Sequence, residues 1–330
     1  MLKKRRIISL FSGAGGLDLG FKKAGFETIW ANDSDKSVFK TFTNYFKNTK
    51  FDQRSILEVP ISEIPSKNVI GVIGGPPCQS WSIAGAKRGI KDERGLLFNE
   101  YIKVIKALKP LFFVAENVAG LTNKRNEEAF TAIKKKFNSL GYYVSTQLLN
   151  ASDYGIPQDR KRVFIVGYNK KYFKQKFEFP PPLKTKKITL QESIGKLQAH
   201  KIGSNQIKNH DVSIVGFSYI YMSRNRIRNW NEQSYTILAS ERHIPLHPSS
   251  PKMIKVKKDV MRFIQNKTTK YRRLSVRECA NIQTFPSNFK FIYNHVSQGY
   301  KMVGNAVPVK LAEVIAKKIA VDLKLKKPVI

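Results

Sequence analysis

The sequence contains only two cysteines and five histidines among 330 residues. Cys78 and Cys279 lie far apart and belong to no CxxC pair or Cys/His cluster, so they provide neither a disulfide framework nor a zinc site. The histidines show no ligand spacing, and we expect no metal in this protein. This cysteine usage is typical of a reducing, cytoplasmic compartment.

Long hydrophobic runs are also missing. No apolar stretch is long enough to span a membrane. The first eleven residues imitate a secretory signal, because basic residues precede an apolar run, but Ser12 and Gly13 interrupt that run too early. We therefore expect no membrane partner.

Acidic residues are scarce, and basic residues dominate. The chain has 59 Lys and Arg against 24 Asp and Glu, a formal net charge of +35, and the basic residues are spread over its whole length. This charge exceeds what solubility requires and predicts a polyanionic partner. Nucleic acid is the leading candidate, since binding releases counterions from the phosphates. A general enrichment in lysine without such a partner is the alternative.

Short apolar runs alternate with helical patterns in the first half of the chain. This alternation predicts an α/β fold in which helices cover both faces of a parallel sheet. The predicted strands are residues 7–11, 28–31, 69–73, 111–115 and 163–167, and the predicted helices are residues 17–24, 37–46, 98–108, 127–140 and 311–323. A triple proline at 180–182 and a change in composition predict a second domain, giving domains 1–178 and 179–290 and a C-terminal segment, 291–330, that returns to the first.

A glycine-rich segment at residues 11–20 follows the first predicted strand and opens a helix. Its bare backbone could approach a ligand at the helix N-terminus, although a purely structural turn is the alternative. The spacing does not match GxGxxG, which disfavours a nicotinamide or flavin. Asp33, at the end of the second strand, stands where a carboxylate accepts hydrogen bonds from ribose hydroxyls. Together these features favour an adenosine-containing ligand.

The loop Gly74-Gly-Pro-Pro-Cys78-Gln-Ser-Trp-Ser82 follows a buried strand at the edge where α/β folds bind ligands. A lone cysteine is often a small buried hydrophobe, but the position after Pro-Pro favours a nucleophile. The next strand ends in Glu116, which predicts an acid on the same edge. Arg160 and Arg162 precede the strand at 163–167, where they could hold a substrate or grip phosphates.

These motifs, in this order from Ile7 to Leu311, resemble the DNA (cytosine-5) methyltransferases of bacterial restriction-modification systems. The resemblance implies a Rossmann-like sheet that binds S-adenosylmethionine, and a smaller, mostly β or irregular target-recognition domain at 179–290. The implied cofactor-binding residues are Phe11, Gly13, Gly16, Asp33, Ser34, Ile56, Pro77, Leu97 and Asn305. Ser34 and Ser55 depart from the aromatic residue and the aspartate usual at these positions.

The resemblance also implies a mechanism. Cys78 would add to carbon 6 of a cytosine that is flipped out of duplex DNA, and carbon 5 would then accept the methyl group. Glu116 would contact the ring nitrogen N3 and the amine, while Arg162 and Arg160 hold the base and its phosphate. Gln79 and Ser82 are implied DNA contacts, and the loop at 82–94 is expected to close over the base.

The segment at residues 222–230 resembles the branch of the family that methylates the inner cytosine of GGCC. We expect Arg224, Arg226 and Arg242 to read bases, since arginine recognises guanine bidentately, although phosphate contacts are the alternative. The biological role implied is protection of host DNA by a cytoplasmic, nucleoid-associated prokaryotic monomer. An RNA cytosine methyltransferase and a DNA-binding protein with a vestigial site are the competing interpretations.

Overall fold

The computed structural model describes residues 5–77, 93–265 and 270–324, except for the side chains of 93–95. The chain forms two compact units: unit 1 is Met1–Asn150, Lys161–Pro181 and Leu311–Ile330, and unit 2 is Ala151–Arg160 and Pro182–Lys310. The chain passes into unit 2 after Pro181 and re-enters unit 1 at Leu311, and the short segment at residues 151–160 also joins unit 2.

Unit 1 contains a seven-stranded sheet with the order β3-β2-β1-β4-β5-β7-β6. Its strands are β1 (Arg5–Leu10), β2 (Phe26–Asn32), β3 (Lys50–Asp52), β4 (Val69–Gly74), β5 (Phe112–Val118), β6 (Tyr142–Asn150) and β7 (Lys161–Asn169). The helices of the two units, in chain order, are α1 (Gly16–Lys23), α2 (Phe39–Tyr45), α3 (Glu93–Leu108), α4 (Glu127–Ser139), α5 (Leu190–Ile194), α6 (Val276–Ile282), α7 (Val296–Asn305) and α8 (Val309–Lys324).

The α/β fold is confirmed, but the prediction of an entirely parallel sheet is wrong. Strands β1 to β5 pair in parallel, whereas β7 runs antiparallel to both β5 and β6. The link between β6 and β7, residues 151–160, contains no α-helix that could carry a crossover back to the other end of the sheet. A short link of this kind joins antiparallel strands.

The centre of the sheet is buried on both faces, as the continuous apolar runs in β1 and β4 require. Phenylalanine rings of β5 lie over glycines of the neighbouring strands. A Cβ on Gly71 would lie 2.2 Å from the Phe112 ring, and one on Gly167 would lie 1.9 Å from the Phe113 ring. The two glycines therefore make room for two large side chains in the core.

Unit 2 contains little regular structure, with one hairpin formed by β8 (Ile254–Lys257) and β9 (Val260–Arg262) among its described residues. Buried arginines donate hydrogen bonds to backbone carbonyls that have no partner within a strand or helix. Arg273 donates to the carbonyls of Val215 and Gly216 at 2.7 and 3.1 Å. Its guanidinium also stacks 4.2 Å from the centre of the Phe217 ring. Hydrogen bonds from these charged side chains replace the backbone hydrogen bonds that neighbouring strands of a sheet would form.

In the described part of the chain, no helix combines the length and the apolar character needed to cross a lipid bilayer.

Asp18, in the first turn of α1, is completely buried and accepts hydrogen bonds from Ser9 Oγ at 3.1 Å and Thr28 Oγ1 at 3.0 Å. Desolvation raises its pKa from 3.8 to about 6. Because the folded pKa lies above the unfolded value, Asp18 favours folding most below pH 4. That contribution is lost as the pH rises to about 6, at a cost of at most about 3 kcal/mol.

We expect Asp18→Asn to unfold at a higher temperature than the natural protein at pH 7.5, and we expect this advantage to disappear near pH 4. Asparagine keeps the size of the side chain but cannot ionise. Thermal unfolding followed by circular dichroism across this pH range measures the difference. The control is Asp259→Asn in the exposed turn between β8 and β9. A parallel pH profile for Asp18→Asn and the natural protein would contradict the assignment.

Candidate active site

The carboxyl ends of β1, β2, β4 and β5 lie on one edge of the sheet, because these strands are parallel. We call it the carboxyl edge. Phe11 follows β1, Asp33 follows β2, Gly75 follows β4, and Glu116 lies near the end of β5. The fold thus gathers residues from four predicted motifs on one edge, which is where ligands bind in open α/β sheets.

The glycine-rich loop after β1 adopts conformations that few residues tolerate. Phe11 has φ 54°, Gly13 φ 55° and Gly15 φ 84°, all in the left-handed region. Asp33 clamps the loop, since its Oδ2 accepts a hydrogen bond from Gly13 N at 2.7 Å and its Oδ1 accepts one from Asp35 N at 2.9 Å. These two bonds fix the Asp33 carboxylate beside the loop.

The other predicted cofactor residues differ in their exposure. Gly16 begins α1 and is buried, Ser34 is exposed after β2, and Ile56 is 4 % exposed within the core of the sheet. Leu97, on α3, is half-buried and packs against the same core, as does Phe11. Asn305 is exposed at the end of α7 in unit 2.

Ser55 stabilises the local backbone structure. Its hydroxyl accepts a hydrogen bond from Leu57 N at 3.4 Å, and its own amide donates to Glu58 Oε2 at 3.3 Å. Together these bonds cap a short 3-10 helix that begins at Ile56. Serine at this position therefore forms a capping box.

Asn117 fixes the segment that follows β4, a role not predicted from the sequence. Its Nδ2 donates to the Pro76 carbonyl at 2.9 Å, and its Oδ1 accepts from Val118 N at 2.8 Å. Asn117 is buried, and its bond to Pro76 joins the ends of two neighbouring strands. A polar residue directly after the acid in an otherwise apolar strand was the signal for this role.

Glu116 and Arg162 form an ion pair at the carboxyl edge. Arg162 Nε lies 3.0 Å from Glu116 Oε1, with the side chains 13 % and 11 % exposed. Burial lowers the pKa of the Arg162 guanidinium, and Glu116 opposes this effect. A Cβ on Gly75 would lie 3.4 Å from Glu116 Oε2, so the backbone of Gly75 runs close beside the carboxylate. The acid, the arginine and the Gly75–Pro77 segment form one cluster.

Arg160 forms its hydrogen bonds within unit 2. It is 1 % exposed, and its guanidinium donates to the carbonyls of Ile237, Gly304 and Ala306 at 2.8, 2.8 and 3.1 Å. Such a side chain holds backbone segments together and presents no open surface to a base. Its part in the structure is therefore different from the contact with the base and phosphate that the sequence predicts.

Three predicted site residues, Cys78, Gln79 and Ser82, lie outside the described residues, as does nearly all of the predicted closing loop at 82–94. Pro77 is the last described residue before them. The cluster around Glu116 is thus known up to the residue that precedes Cys78 in the sequence.

The chain matches the family described as C-5 cytosine-specific DNA methylase over residues 5–321. It belongs to this family. It is 51 % identical over 327 residues to the Type II methyltransferase M.MthTI of Methanothermobacter thermautotrophicus, covering 96 % of this chain and 98 % of the relative. It is 48 % identical over 339 residues to M.FnuDI of Fusobacterium nucleatum, covering 98 % of each. The solved structure of the Entamoeba histolytica methyltransferase EhMeth has a TM-score of 0.74 at 21 % identity and covers 97 % and 99 %. The protein is a DNA (cytosine-5) methyltransferase, and its α/β fold is similar to that of the EhMeth structure.

The predicted base-reading arginines of the methyltransferase fall into two groups. Arg224 and Arg242 are exposed in unit 2. Arg226 donates to the carbonyls of Tyr221 at 2.8 Å and Ile220 at 3.0 Å, and its guanidinium lies 4.8 Å from the centre of the Tyr221 ring. Arg226 therefore stabilises its own loop, whereas the other two arginines present their guanidinium groups to solvent.

We expect Asn117→Ala to lower the methylation rate of the enzyme at least tenfold, because the Pro76 carbonyl loses its donor and the segment before Cys78 loses its anchor. The unsatisfied buried carbonyl should reduce the free energy of unfolding by about 1–3 kcal/mol. Methyl incorporation into plasmid DNA and urea unfolding measure the two effects. Val118→Ala is the control, since this neighbouring side chain is 49 % exposed. Full activity in a folded Asn117→Ala protein would refute the role.

Proposed function

We propose that this methyltransferase transfers the methyl group of S-adenosylmethionine to carbon 5 of a cytosine flipped out of duplex DNA, with Cys78 as the nucleophile. The observation that carries the proposal is the Glu116–Arg162 pair beside Gly75–Pro77, the segment that directly precedes Cys78. Carbon 6 of a stacked base is inaccessible, so the chemistry requires base flipping.

Carbon 5 of cytosine is a poor nucleophile, so the protein must first add a nucleophile of its own to carbon 6. The Cys78 thiolate forms a bond to carbon 6, and the electron density displaced through the ring makes carbon 5 reactive. S-adenosylmethionine would supply the methyl group that carbon 5 takes up, and S-adenosylhomocysteine would leave. Transfer of the carbon 5 proton to water then allows the bond between sulfur and carbon 6 to break, which frees Cys78.

Glu116 is suited to hold the ring at N3 and the exocyclic amine. Arg162 binds one carboxylate oxygen, Oε1, while Oε2 lies toward Gly75. An oriented carboxylate in a partly buried site forms stronger hydrogen bonds than one in water. We infer that Arg162 fixes this orientation and contacts the base, and that Arg160 acts as a positioning residue for the turn at 304–306.

The loop after β1 suits a nucleoside-containing methyl donor. A Cβ on Gly13 would meet no atom within 4 Å, so the space above this glycine is open. Asp33 stands beside it at the end of β2, the position from which a carboxylate accepts hydrogen bonds from ribose hydroxyls in folds of this kind. We infer that the donor is held by Phe11, Gly13, Gly16, Asp33, Ser34, Ile56, Pro77, Leu97 and Asn305.

We further infer that residues 179–290 recognise the target, that the target is GGCC, and that the enzyme protects DNA from a cognate restriction enzyme. The relatives named above are Type II methyltransferases, and the segment at 222–230 resembles the GGCC branch. Arg224 and Arg242 are exposed and can read guanine. The proposed enzyme acts as a monomer in the cytoplasm.

Incubation of the enzyme with labelled S-adenosylmethionine and plasmid DNA, followed by bisulfite mapping, tests the reaction and the sequence together. We expect 5-methylcytosine at the inner cytosine of GGCC, no methylation by Cys78→Ser, and a covalent complex with a duplex that carries 5-fluorocytosine at the target. Cys279→Ser is the matched control, since that thiol is buried in unit 2. Methylation by Cys78→Ser would refute the mechanism, and methylation elsewhere would refute GGCC alone.

Arg224→Ala and Arg226→Ala should behave differently. If Arg224 reads a guanine, its loss should reduce discrimination at one base pair by about 1–3 kcal/mol without changing thermal stability. Arg226→Ala should lower stability, because two carbonyls lose their donor. Methylation rates on duplexes with single base changes, together with melting curves, separate the two effects. An equal loss of rate on every duplex for Arg224→Ala would indicate a phosphate contact instead.

A further inference from the structure

The opposite edge of the sheet, where strands β1 to β6 begin and β7 ends, carries a basic residue at every strand. We call it the amino edge. Along the sheet its basic residues are Lys50 at β3, Lys22 and Lys23 before β2, Arg5 at β1, Lys67 before β4, Lys106 and Lys109 before β5, Lys170 after β7 and Lys136 before β6. All of these lysines are exposed. Unit 1 alone forms this row.

The loops of the amino edge are joined to one another. Leu111 N donates to the Ile70 carbonyl, Asn169 N to the Leu111 carbonyl, and Lys170 N to the Gly141 carbonyl, each at 2.9 Å. Neighbouring strands are about 4.8 Å apart, so the row across the sheet is roughly 30 Å long. The cations therefore form a continuous line and not scattered positions on separate faces.

Helix polarity explains only part of the row. Lysine is favourable in the last turn of a helix, which accounts for Lys22, Lys106 and Lys136. Lys67 and Lys170 lie in the loops, beyond any helix end, whereas Lys109 directly follows α3 and its amide donates to the Ile105 carbonyl. No acidic side chain in the described part of the chain lies within 4 Å of these three. They are exposed charges that no ion pair within the described residues neutralises.

Acidic groups near the amino edge are few and mostly engaged. Glu313 contacts Lys23 and Lys317, and Asp322 binds Tyr168 and Lys318. Glu27 lies half-buried opposite Arg6 in the β1–β2 pairing. By contrast, the carboxyl edge carries Asp33, Asp52 and Glu116 after or at the ends of its strands. Basic residues also lie at the carboxyl edge, but Arg54 and Arg162 are paired there with Asp52 and Glu116.

We propose that the amino edge is a second binding surface for duplex DNA, separate from the catalytic edge. A line of cations roughly 30 Å long matches the phosphates along about nine base pairs. The enzyme's substrate is a long polymer, so a second segment of the same molecule is always present at high local concentration. Binding there would let the enzyme hold one segment while the active site engages another, and would assist transfer between distant sites.

The test compares two triple variants that change the net charge equally. The row variant carries Lys67→Glu, Lys109→Glu and Lys170→Glu. The helix variant carries Lys40→Glu, Lys103→Glu and Lys196→Glu, at exposed helix positions that do not belong to the row. Sedimentation of each protein with a labelled duplex of about 12 base pairs, about 40 Å long, gives the number of duplexes bound. Replacement of the same three row lysines by arginine keeps the charge and checks that any loss is electrostatic.

We expect the natural protein, the helix variant and the arginine variant to bind two duplexes at low salt, and the row variant to bind one. Binding of the second duplex should weaken steeply as salt rises. All proteins should methylate a short duplex at rates within about twofold, because the row lies away from the catalytic edge. A single duplex on the natural protein, or two on the row variant, would overturn the proposal. So would loss of the second duplex in the helix variant, or binding of anionic lipid vesicles in its place.

Discussion

The active site depends on one constraint of the sheet: strands that run parallel end on the same edge. Strands β1, β2, β4 and β5 therefore deliver the glycine-rich loop, Asp33, the Gly75–Pro77 segment and Glu116 to a common place. The antiparallel strand β7 begins where these strands end, and its start brings Arg162 to the same edge. A parallel β7 would have carried Arg162 to the far side. The reversal of one strand thus completes the cluster.

Burial makes the Glu116–Arg162 pair more than a surface contact. Each side chain is little more than a tenth exposed, so neither charge can be left alone without a desolvation cost of about 3–5 kcal/mol. In the proposed reaction, a base that enters beside the pair would meet an oriented carboxylate, because the arginine restrains Glu116 before the substrate arrives. Asn117 serves a similar purpose for the neighbouring segment by holding the Pro76 carbonyl. The site is organised in advance by groups that also stabilise unit 1.

Sequence patterns predicted the parts of this architecture that depend on local order. Four of the parallel strands and the loops after them follow from apolar runs that end in glycine, proline or a carboxylate. The patterns missed β3, which has three residues, and β6, an edge strand whose apolar residues are interrupted by the run serine, threonine and glutamine. They also treated Arg160 and Arg226 as ligands of DNA. In the structure both donate to backbone carbonyls, some of them far along the chain, and only the folded structure reveals those carbonyls.

A net charge of +35 therefore has more than one physical origin. Some arginines of unit 2, such as Arg273 and Arg160, are buried and donate hydrogen bonds to backbone carbonyls. Their charges contribute little to the electrostatic potential outside the protein. In unit 1, helices that start at the carboxyl edge and end at the amino edge favour acids at one end and lysines at the other. At the carboxyl edge, Arg54 is paired with Asp52 and Arg162 with Glu116. Lysines of the opposite edge that lie beyond helix ends, such as Lys67 and Lys170, remain exposed charges and form part of the proposed surface for a second segment of DNA.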